Sequence, residues 1–252
     1  MKKFLLPVRK EFDAFKLTPE IYAGNVQAIS DSLNLHKPKH LHHQELPCYW
    51  AGDLAGGKEK IAIVEINTPF DAKKIAFENQ LKKGTWENYI NFHNNLFQFY
   101  KKRSEWSLKD YQSLAGSLSK STFKNREHLD FLHENVVRFD ILPYISSDIN
   151  KTTIGKNGED YLFGRFNDHV LPFMLRNKKI KKAIFHNRKL TNVLLQKNFI
   201  SADDMIYVRM NKGRNLDFIY KKNYPGLEIF IFSRSIPFGG FMKSEVYTNV
   251  FG

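Results

Sequence analysis

A polar turn follows the most apolar segment of this sequence, and its residue types could do chemistry. In the stretch EKIAIVEINTPFD, residues 59–71, a continuous apolar run leads directly into Asn67, Pro69 and Asp71. Asparagine at a strand end is commonly a turn residue that bonds its own backbone, and an aspartate before a helix is commonly a cap. The alternative is that this turn forms the floor of an active site, and the sequence leaves both interpretations open.

Carboxylates near this turn suggest a second kind of chemistry. Glu65 and Asp71 flank Asn67, and Asp140 lies in the later apolar segment RFDILPY. Carboxylate oxygens are the ligands that Mg²⁺ prefers, and a bound metal can activate water for phosphodiester hydrolysis. A metal-dependent nuclease or phosphohydrolase is therefore one hypothesis, although no lysine stands at a recognised nuclease spacing from these acids.

Asp140 raises a question of its own because it lies between Phe139 and Ile141, in a segment that should be covered. A buried carboxylate without a partner is strongly unfavourable. Two explanations are equally consistent with the sequence. Either Asp140 lies at the edge of a sheet and faces a cleft, or a cation such as Arg138 pairs with it.

The elements that must position these residues alternate between strand and helix. Thr18 and Thr85 are each predicted to cap a helix, DYLFGRFNDHVLPFMLR predicts a helix that bends at Pro172, and RKLTNVLLQKN predicts another. MIYVRMN and LDFIYKK, joined by KGRN, predict a β-hairpin. This alternation predicts a three-layer α/β/α fold with a mostly parallel four-stranded central sheet and an extra hairpin. The four core strands are predicted at 60–67, 135–144, 180–186 and 227–235.

In sheets of this kind, ligands bind beyond the carboxyl ends of the strands. The hypothesis that follows is spatial: Asn67, Asp140 and Arg234, far apart in the sequence, line one electropositive pocket. The four predicted strand ends are 67–71, 140–147, 186–188 and 233–240.

The order of these elements resembles the uracil-DNA glycosylase superfamily from about Pro47 to about Gly240. In that family a buried strand delivers a turn such as G-Q-D-P-Y or G-M-N-P-G, which VEINTPFD resembles, and an aromatic-rich helix follows, as WENYINFHNNLFQFY does. The second family strand ends in patterns such as N-L-C-P-L, to which RFDILPY is similar. The third strand and its helix resemble AIFHNRKLTNVLL, and FSRSIPFGG stands where the family has H-P-S-P.

The resemblance implies a site that breaks an N-glycosidic bond, a step that builds positive charge on the sugar and negative charge on the base. An amide or carboxylate would orient water, a cation would stabilise the leaving base, and aromatic and polar groups would hold a base flipped out of its stack. A carboxylate at Asp140 would favour a base edge that presents donors, as cytosine or adenine does. The implied residues are Asn67, Asp71, Arg234 and Ser235 for catalysis, and Phe70, Asp140 and Tyr144 for base binding.

The chain departs from the family pattern at several of these positions. Glu65 replaces a Gly, Thr68 separates Asn67 from Pro69, and the final His is absent. Losing one such donor costs on the order of 3–4 kcal/mol, or about a hundred-fold to a thousand-fold in rate. The departures imply either a glycosylase-like enzyme with altered base preference or a catalytically inactive module of the same fold that binds nucleic acid or nucleotide.

The charge balance favours an anionic partner. The chain has 39 Lys+Arg against 26 Asp+Glu, a net charge of +13. A surplus of this size favours polyanions, so nucleic acid or nucleotide is the expected partner, with solubility alone as the alternative explanation. Nucleic-acid contacts are predicted in the clusters YKKRS and RNKKIKK, at Lys102, Arg103, Lys178, Lys179, Lys181 and Lys182.

Length and composition bound the remaining expectations. The 252 residues, 42% of them hydrophobic, predict a single α/β domain over 1–252, with an N-terminal helical segment and His-rich loop at 1–46 and the glycosylase-like core at 47–252. No apolar run approaches the roughly 20 residues that span a bilayer, so no membrane association is expected. Cys48 is the only cysteine, which favours a reducing, cytoplasmic location. The stretch HKPKHLHH lacks a Cys or acid at a recognised metal spacing, so no metal or cofactor is predicted, and the oligomeric state stays open.

Overall fold

Strands between Trp50 and Phe232 form one sheet. The computed structural model describes residues 2–35, 41–56, 58–66, 81–101, 127–144, 153–185, 187–210 and 216–233, with residue 146 and isolated residues between 112 and 124. Seven strands are found in these ranges. In chain order they are Trp50–Ala51 (β1), Lys60–Glu65 (β2), Val136–Asp140 (β3), Ile180–Phe185 (β4), Met205–Met210 (β5), Leu216–Tyr224 (β6) and Leu227–Phe232 (β7).

The four central strands run parallel, as the sequence predicts. The sheet order is β1-β3-β2-β4-β7-β6-β5. Parallel pairing joins β3 to β2, β2 to β4 and β4 to β7. The predicted hairpin is confirmed as β5 and β6, which continue the sheet in antiparallel pairing beside β7. Strand β1 was not predicted, because two residues are too few to show a periodic pattern; it pairs antiparallel with β3.

Helices cover both faces of this sheet. In the described ranges they are Lys2–Leu17 (α1), Pro19–Ser32 (α2), Trp86–Asn94 (α3), Leu96–Lys101 (α4), His128–Asn135 (α5), Lys156–Arg165 (α6), Leu171–Arg176 (α7) and Arg188–Gln196 (α8), with a short 3₁₀ turn at Ala202–Asp204. On one face, side chains of α1, α6, α7 and α8 pack with Ala62, Val64 and Phe139, and on the other, side chains of α4 and α5 pack with Ile63 and Val136. No helix among the described residues combines the length and apolarity needed to cross a lipid bilayer.

The unbroken apolar run of β2 follows from this double coverage. Successive side chains in a strand point to opposite faces, so a strand covered on one face alternates between apolar and polar residues. In β2, Ala62 and Val64 enter one core while Ile63 enters the other, and none of the three is exposed. A strand buried on both faces therefore shows no alternation at its centre.

The bend predicted at Pro172 takes the form of a wider helical turn just before it. Residues Phe166–Val170 form a π-helical turn between α6 and α7, in which the Leu171 N–H bonds the carbonyl of Phe166. Pro172 has no N–H for the carbonyl of Asp168 four residues earlier, and its ring would clash with that carbonyl in an α-helix. The wider turn removes the clash, so the segment continues as one helix with a local expansion.

Thr85 and Thr18 each stand before a helix, but only one of them caps its helix with its side chain. The hydroxyl of Thr85 accepts a bond from the backbone N–H of Asn88 (3.4 Å), whose side chain accepts from the Thr85 N–H (2.9 Å). Thr18, before α2, makes no side-chain cap, and its hydroxyl instead donates to the carbonyl of Ala14. Only the first of the two predicted caps is therefore a hydrogen-bonded one.

We expect Thr85→Ala to lower the free energy of unfolding by about 1 kcal/mol, because the backbone N–H of Asn88, in the first turn of α3, loses its acceptor. The matched change Thr18→Ala removes no cap and should cost less than about 0.5 kcal/mol. Urea unfolding followed by circular dichroism measures both. Equal losses in the two variants would contradict the capping role assigned to Thr85.

Candidate active site at the carboxyl ends of the parallel strands

The parallel register brings the ends of the central strands to one edge of the sheet, called here the carboxyl edge. Glu65 of β2 is level with Asp140 of β3, and Val64 is level with Phe185 of β4. Phe185 in turn is level with Ile231, one residue before the end of β7. Of the helices described after β2, α4 and α5 cover one face of the sheet, and α8, after β4, covers the other. Where the connections of two neighbouring parallel strands run to opposite faces of a sheet, a crevice is expected between the strand ends, here between β2 and β4.

Backbone hydrogen bonds fix the ends of β2 and β3 against each other beyond the last strand residues. The N–H of Ile141 donates to the carbonyl of Glu65 (3.0 Å), and the N–H of Leu142 donates to the carbonyl of Ile66 (2.6 Å). On the other side of β3, the N–H of Asp140 donates to the carbonyl of Tyr49 (3.1 Å). Backbone hydrogen bonds therefore fix the position of Asp140 independently of the contacts of its side chain.

A buried cluster of three charges lies at this edge. Arg138 and Asp140 are two residues apart in β3 and so share a face of the sheet. The Nη2 of Arg138 donates to Asp140 Oδ2 at 3.2 Å, and its Nε lies 3.8 Å from Oε2 of Glu65. The side chains of Arg138 and Asp140 are 4% and 0% exposed, and that of Glu65 is 19% exposed. Both explanations offered for Asp140 are therefore correct in part: it lies at the carboxyl edge, and Arg138 pairs with it.

Cys48 and His93 extend this cluster away from the edge. Arg138 Nη2 lies 3.7 Å from the sulfur of Cys48, which is 3.8 Å from Nδ1 of His93. The Nδ1–H of His93 donates to the carbonyl of Trp50 (2.9 Å). Burial above all, with a contribution from the Arg138 guanidinium, lowers the pKa of His93 to about 3, against the raising effect of its bond to the Trp50 carbonyl. His93 is therefore neutral at physiological pH and acts as a core residue that is hydrogen-bonded to the backbone.

Tyr144 belongs to a different network, beneath α1. Its hydroxyl donates to Oε2 of Glu11 at 2.8 Å. Arg165 lies 4.0 Å from the other oxygen of Glu11 and stacks over the ring of Tyr49, with 5.1 Å to the centroid. Burial, and then the Glu11 carboxylate, raises the pKa of Tyr144 far above its usual range, so its phenol remains a donor. Sequence reasoning missed Glu11 and Arg165, since no local pattern links residues so far apart.

The start of α8 forms the side of the crevice next to β4. The side chain of Asn187 accepts from the backbone N–H groups of Lys189 (3.0 Å) and Leu190 (3.3 Å). The hydroxyl of Thr191 donates to the carbonyl of Phe232 at the end of β7 (2.6 Å). These bonds hold the first turn of α8 at the carboxyl edge. A helix N-terminus carries partial positive charge, so this side of the crevice is electrostatically suited to an anionic group.

The structure places only some of the sequence-predicted site residues. Asp140 and Tyr144 are buried and bonded to different partners, Arg138 and Glu11 respectively. Lys178 and Lys179 precede β4, whose six residues separate them from the carboxyl edge by about 20 Å. Lys181 and Lys182 lie within β4 itself, in its first half. The remaining predicted residues lie outside the described part of the chain: Asn67, Phe70, Asp71, Lys102, Arg103, Arg234 and Ser235.

The acids at this edge are not arranged as a metal site. Within the described ranges, no group of three or more His, Cys, Asp or Glu side chains could hold a metal ion. Arg138 lies within 4 Å of both Glu65 and Asp140 and so supplies the positive charge that a metal would supply. The charge arrangement therefore opposes the metal-dependent nuclease hypothesis at these two acids.

We expect Arg138→Met to lower the free energy of unfolding by about 3–5 kcal/mol, because two carboxylates would lose their buried cation. Lys58→Met, which removes the exposed ion pair of Lys58 with Glu134, is the control and should cost less than about 1 kcal/mol. Adding Asp140→Asn to Arg138→Met should recover part of the loss. Equal losses for the two methionine variants in urea titrations would contradict the cluster's role.

The low pKa of His93 predicts that acid destabilises the protein. The ordinary histidine value is 6.5 and the folded value is about 3, so below pH 6.5 the unfolded chain takes up a proton that the folded chain does not. Stability should fall by up to about 1.4 kcal/mol per pH unit between about pH 6 and 4. The fall should be shallower in His93→Gln. Denaturant titrations at several pH values measure these slopes, and identical slopes in wild type and His93→Gln would contradict the assignment.

Comparison with known proteins does not identify a relative. No family model matches the sequence, and no curated protein and no solved structure matches the chain.

Proposed function

We propose that the chain binds a nucleobase or nucleotide at the carboxyl edge and hydrolyses an N-glycosidic bond, as a uracil-DNA glycosylase-like protein. The observation that carries the proposal is the parallel register, with Glu65, Asp140 and Phe185 ending at one edge of the sheet. The sheet contains its parallel strands in the spatial order second, first, third and fourth, which creates a crevice at the ends of the first and third. The motifs that resemble the glycosylase family fall at the ends of these same strands.

The charges at the edge suit this reaction. Glycosidic cleavage builds negative charge on the departing base and positive charge on the sugar, and fixed charges in a water-poor site stabilise such changes strongly. The first turn of α8 offers partial positive charge on one side of the crevice, and Glu65, 19% exposed, is the most accessible member of the buried cluster on the other. The net charge of +13 favours approach of a polyanionic substrate.

In this proposal Asp140 and Tyr144 do not contact the base directly. The side chain of Asp140 is fully buried and bonded to Arg138, and Tyr144 is 4% exposed and bonded to Glu11. A base edge could reach these groups only if the bonds opened. We therefore assign both residues to positioning the strand end, and we leave base contact to the residues of the sequence that follow β2 from Asn67 onward.

The same burial favours a second candidate function, binding of nucleic acid or nucleotide without catalysis. The family His is absent from FSRSIPFGG, and the carboxylate expected at the base edge is closed off by Arg138. A site that keeps its fold and its positive surroundings but lacks an accessible acid can bind without hydrolysing. A metal-dependent nuclease ranks below both, because Arg138 neutralises two of its three proposed ligands.

Purified protein on single- and double-stranded oligonucleotides carrying uracil or other altered bases tests the proposal. We expect alkali-labile abasic sites with at least one substrate, and a loss of about a hundred-fold or more in rate for Asn67→Ala, which removes the proposed water-orienting amide. Asn95→Ala, at the exposed end of α3, is the matched control and should keep the wild-type rate. Circular dichroism verifies that both variants are folded.

The same experiment separates the candidates. Binding without product, with log affinity falling linearly as log salt rises, would favour the inactive module. Strand cleavage that requires Mg²⁺ or Mn²⁺ and stops with a chelator would favour the nuclease. The absence of both binding and product with every substrate would overturn the nucleobase proposal.

A further inference from the structure

A large cavity lies at the opposite end of the sheet from the candidate active site. It has a volume of about 700 Å³ and is bounded by the start of α1, the turn after β1, and the π-helical turn with α7 and the residues that follow it. The N–H of Lys60, the first residue of β2, bonds the carbonyl of Lys179, which locates this wall at the amino ends of the parallel strands. The volume is within the range of about 300–1,000 Å³ that small-molecule sites occupy. We call it the amino-edge cavity.

The lining of this cavity is strongly basic. Lys3, Arg176, Lys178 and Lys179 contribute four positive charges, against the single carboxylate of Asp168. Within the described part of the chain, no ion pair and no side-chain hydrogen bond involves Lys3, Arg176 or Lys178. Three cations that converge on one concave surface repel one another, and a bound anion would offset that repulsion.

Lys179 fixes the wall rather than adding a free charge. Its Nζ donates to the carbonyls of Gly56 (2.6 Å) and Ala55 (3.2 Å). The turn after β1 is thereby tied to the start of β4. These hydrogen bonds fix this wall of the cavity at the amino ends of the strands, so the cavity has a defined shape.

The floor of the cavity is apolar. Leu54, Pro172 and the rings of Phe4 and Phe173 line it, with the two ring centroids 4.6 Å apart. A flat aromatic or heterocyclic group packs well on such a surface. The combination of an apolar floor with a basic rim suits a ligand that has a ring at one end and a highly charged anion at the other.

The π-helical turn supplies the remaining polar groups. Asp168 and His169 both belong to it and both line the cavity. Turns of this kind are rare and frequently lie at functional sites. The Asp168 carboxylate accepts a bond from the Asn167 side chain (3.0 Å) and retains acceptor capacity for a hydroxyl. Carboxylates bind ribose hydroxyls in dinucleotide sites, so this chemistry is available to Asp168.

We propose that the amino-edge cavity binds a free nucleoside phosphate. Lys3, Arg176 and Lys178 contact the phosphates, Asp168 accepts from the ribose hydroxyls, and the apolar floor packs against the base. The cavity lies at the opposite edge of the sheet from the candidate active site, so this site does not depend on the function proposed there.

Isothermal titration calorimetry of the full chain with ADP, AMP, adenosine and pyrophosphate tests the proposal. We expect ADP to bind more tightly than adenosine or pyrophosphate, because each of these lacks one half of the recognised chemistry. Arg176→Glu/Lys178→Glu should weaken ADP binding about tenfold or more, since two charge-assisted contacts are lost. Ala55→Trp, which narrows the cavity without changing its charge, should also weaken it.

Lys83→Glu/Lys124→Glu is the charge-matched control and should leave the affinity for ADP unchanged, because neither lysine lines the cavity. An affinity for ADP that is absent, or equal in both charge variants, would overturn the site. Binding of pyrophosphate as tight as that of ADP would overturn the nucleoside assignment. Loss of ADP binding in Arg176→Glu/Lys178→Glu with unchanged action on altered-base oligonucleotides would separate this site from the carboxyl edge.

Discussion

Arg138 is buried between two carboxylates, and the carboxyl edge depends on how that charge is balanced. A cation this deep in a sheet covered on both faces is tolerated only with anionic and hydrogen-bonding partners around it. Asp140 supplies a direct bond and Glu65, on the neighbouring parallel strand, supplies a second negative charge. The pairing of β2 with β3 in this register is what makes the three charges meet. A shift of one residue in either strand would point the partner acids to the opposite face.

The sequence predicts the parallel core well because its signals are local. The core strands are short and mainly apolar, and helices lie between them, one of which starts after the predicted cap Thr85. Such patterns identify elements without knowledge of the fold. The pairing of Asp140 with Arg138 was also within reach, since a spacing of two residues in a strand places both side chains on one face.

What the sequence did not predict depends on contacts between distant segments. The Glu11 contacts with Tyr144 and Arg165 join residues that no periodic pattern relates. The π-helical turn arises from the clash that Pro172 would cause, and sequence alone indicated only a bend there. The lysines of RNKKIKK were predicted as one basic cluster, and the structure divides them, because the first two precede β4 and the next two lie within it.

Helix α1 reaches both networks that lie on its side of the sheet. Near its start, Lys3 and Phe4 line the amino-edge cavity, and about 10 Å further along the rod Glu11 accepts the Tyr144 hydroxyl. Between them, Pro7 has no N–H to offer the carbonyl of Lys3, so α1 lacks one of its interior hydrogen bonds at this point. The first turn of α1 can therefore adjust to the cavity without moving Glu11, and one helix serves two networks through a joint near its start.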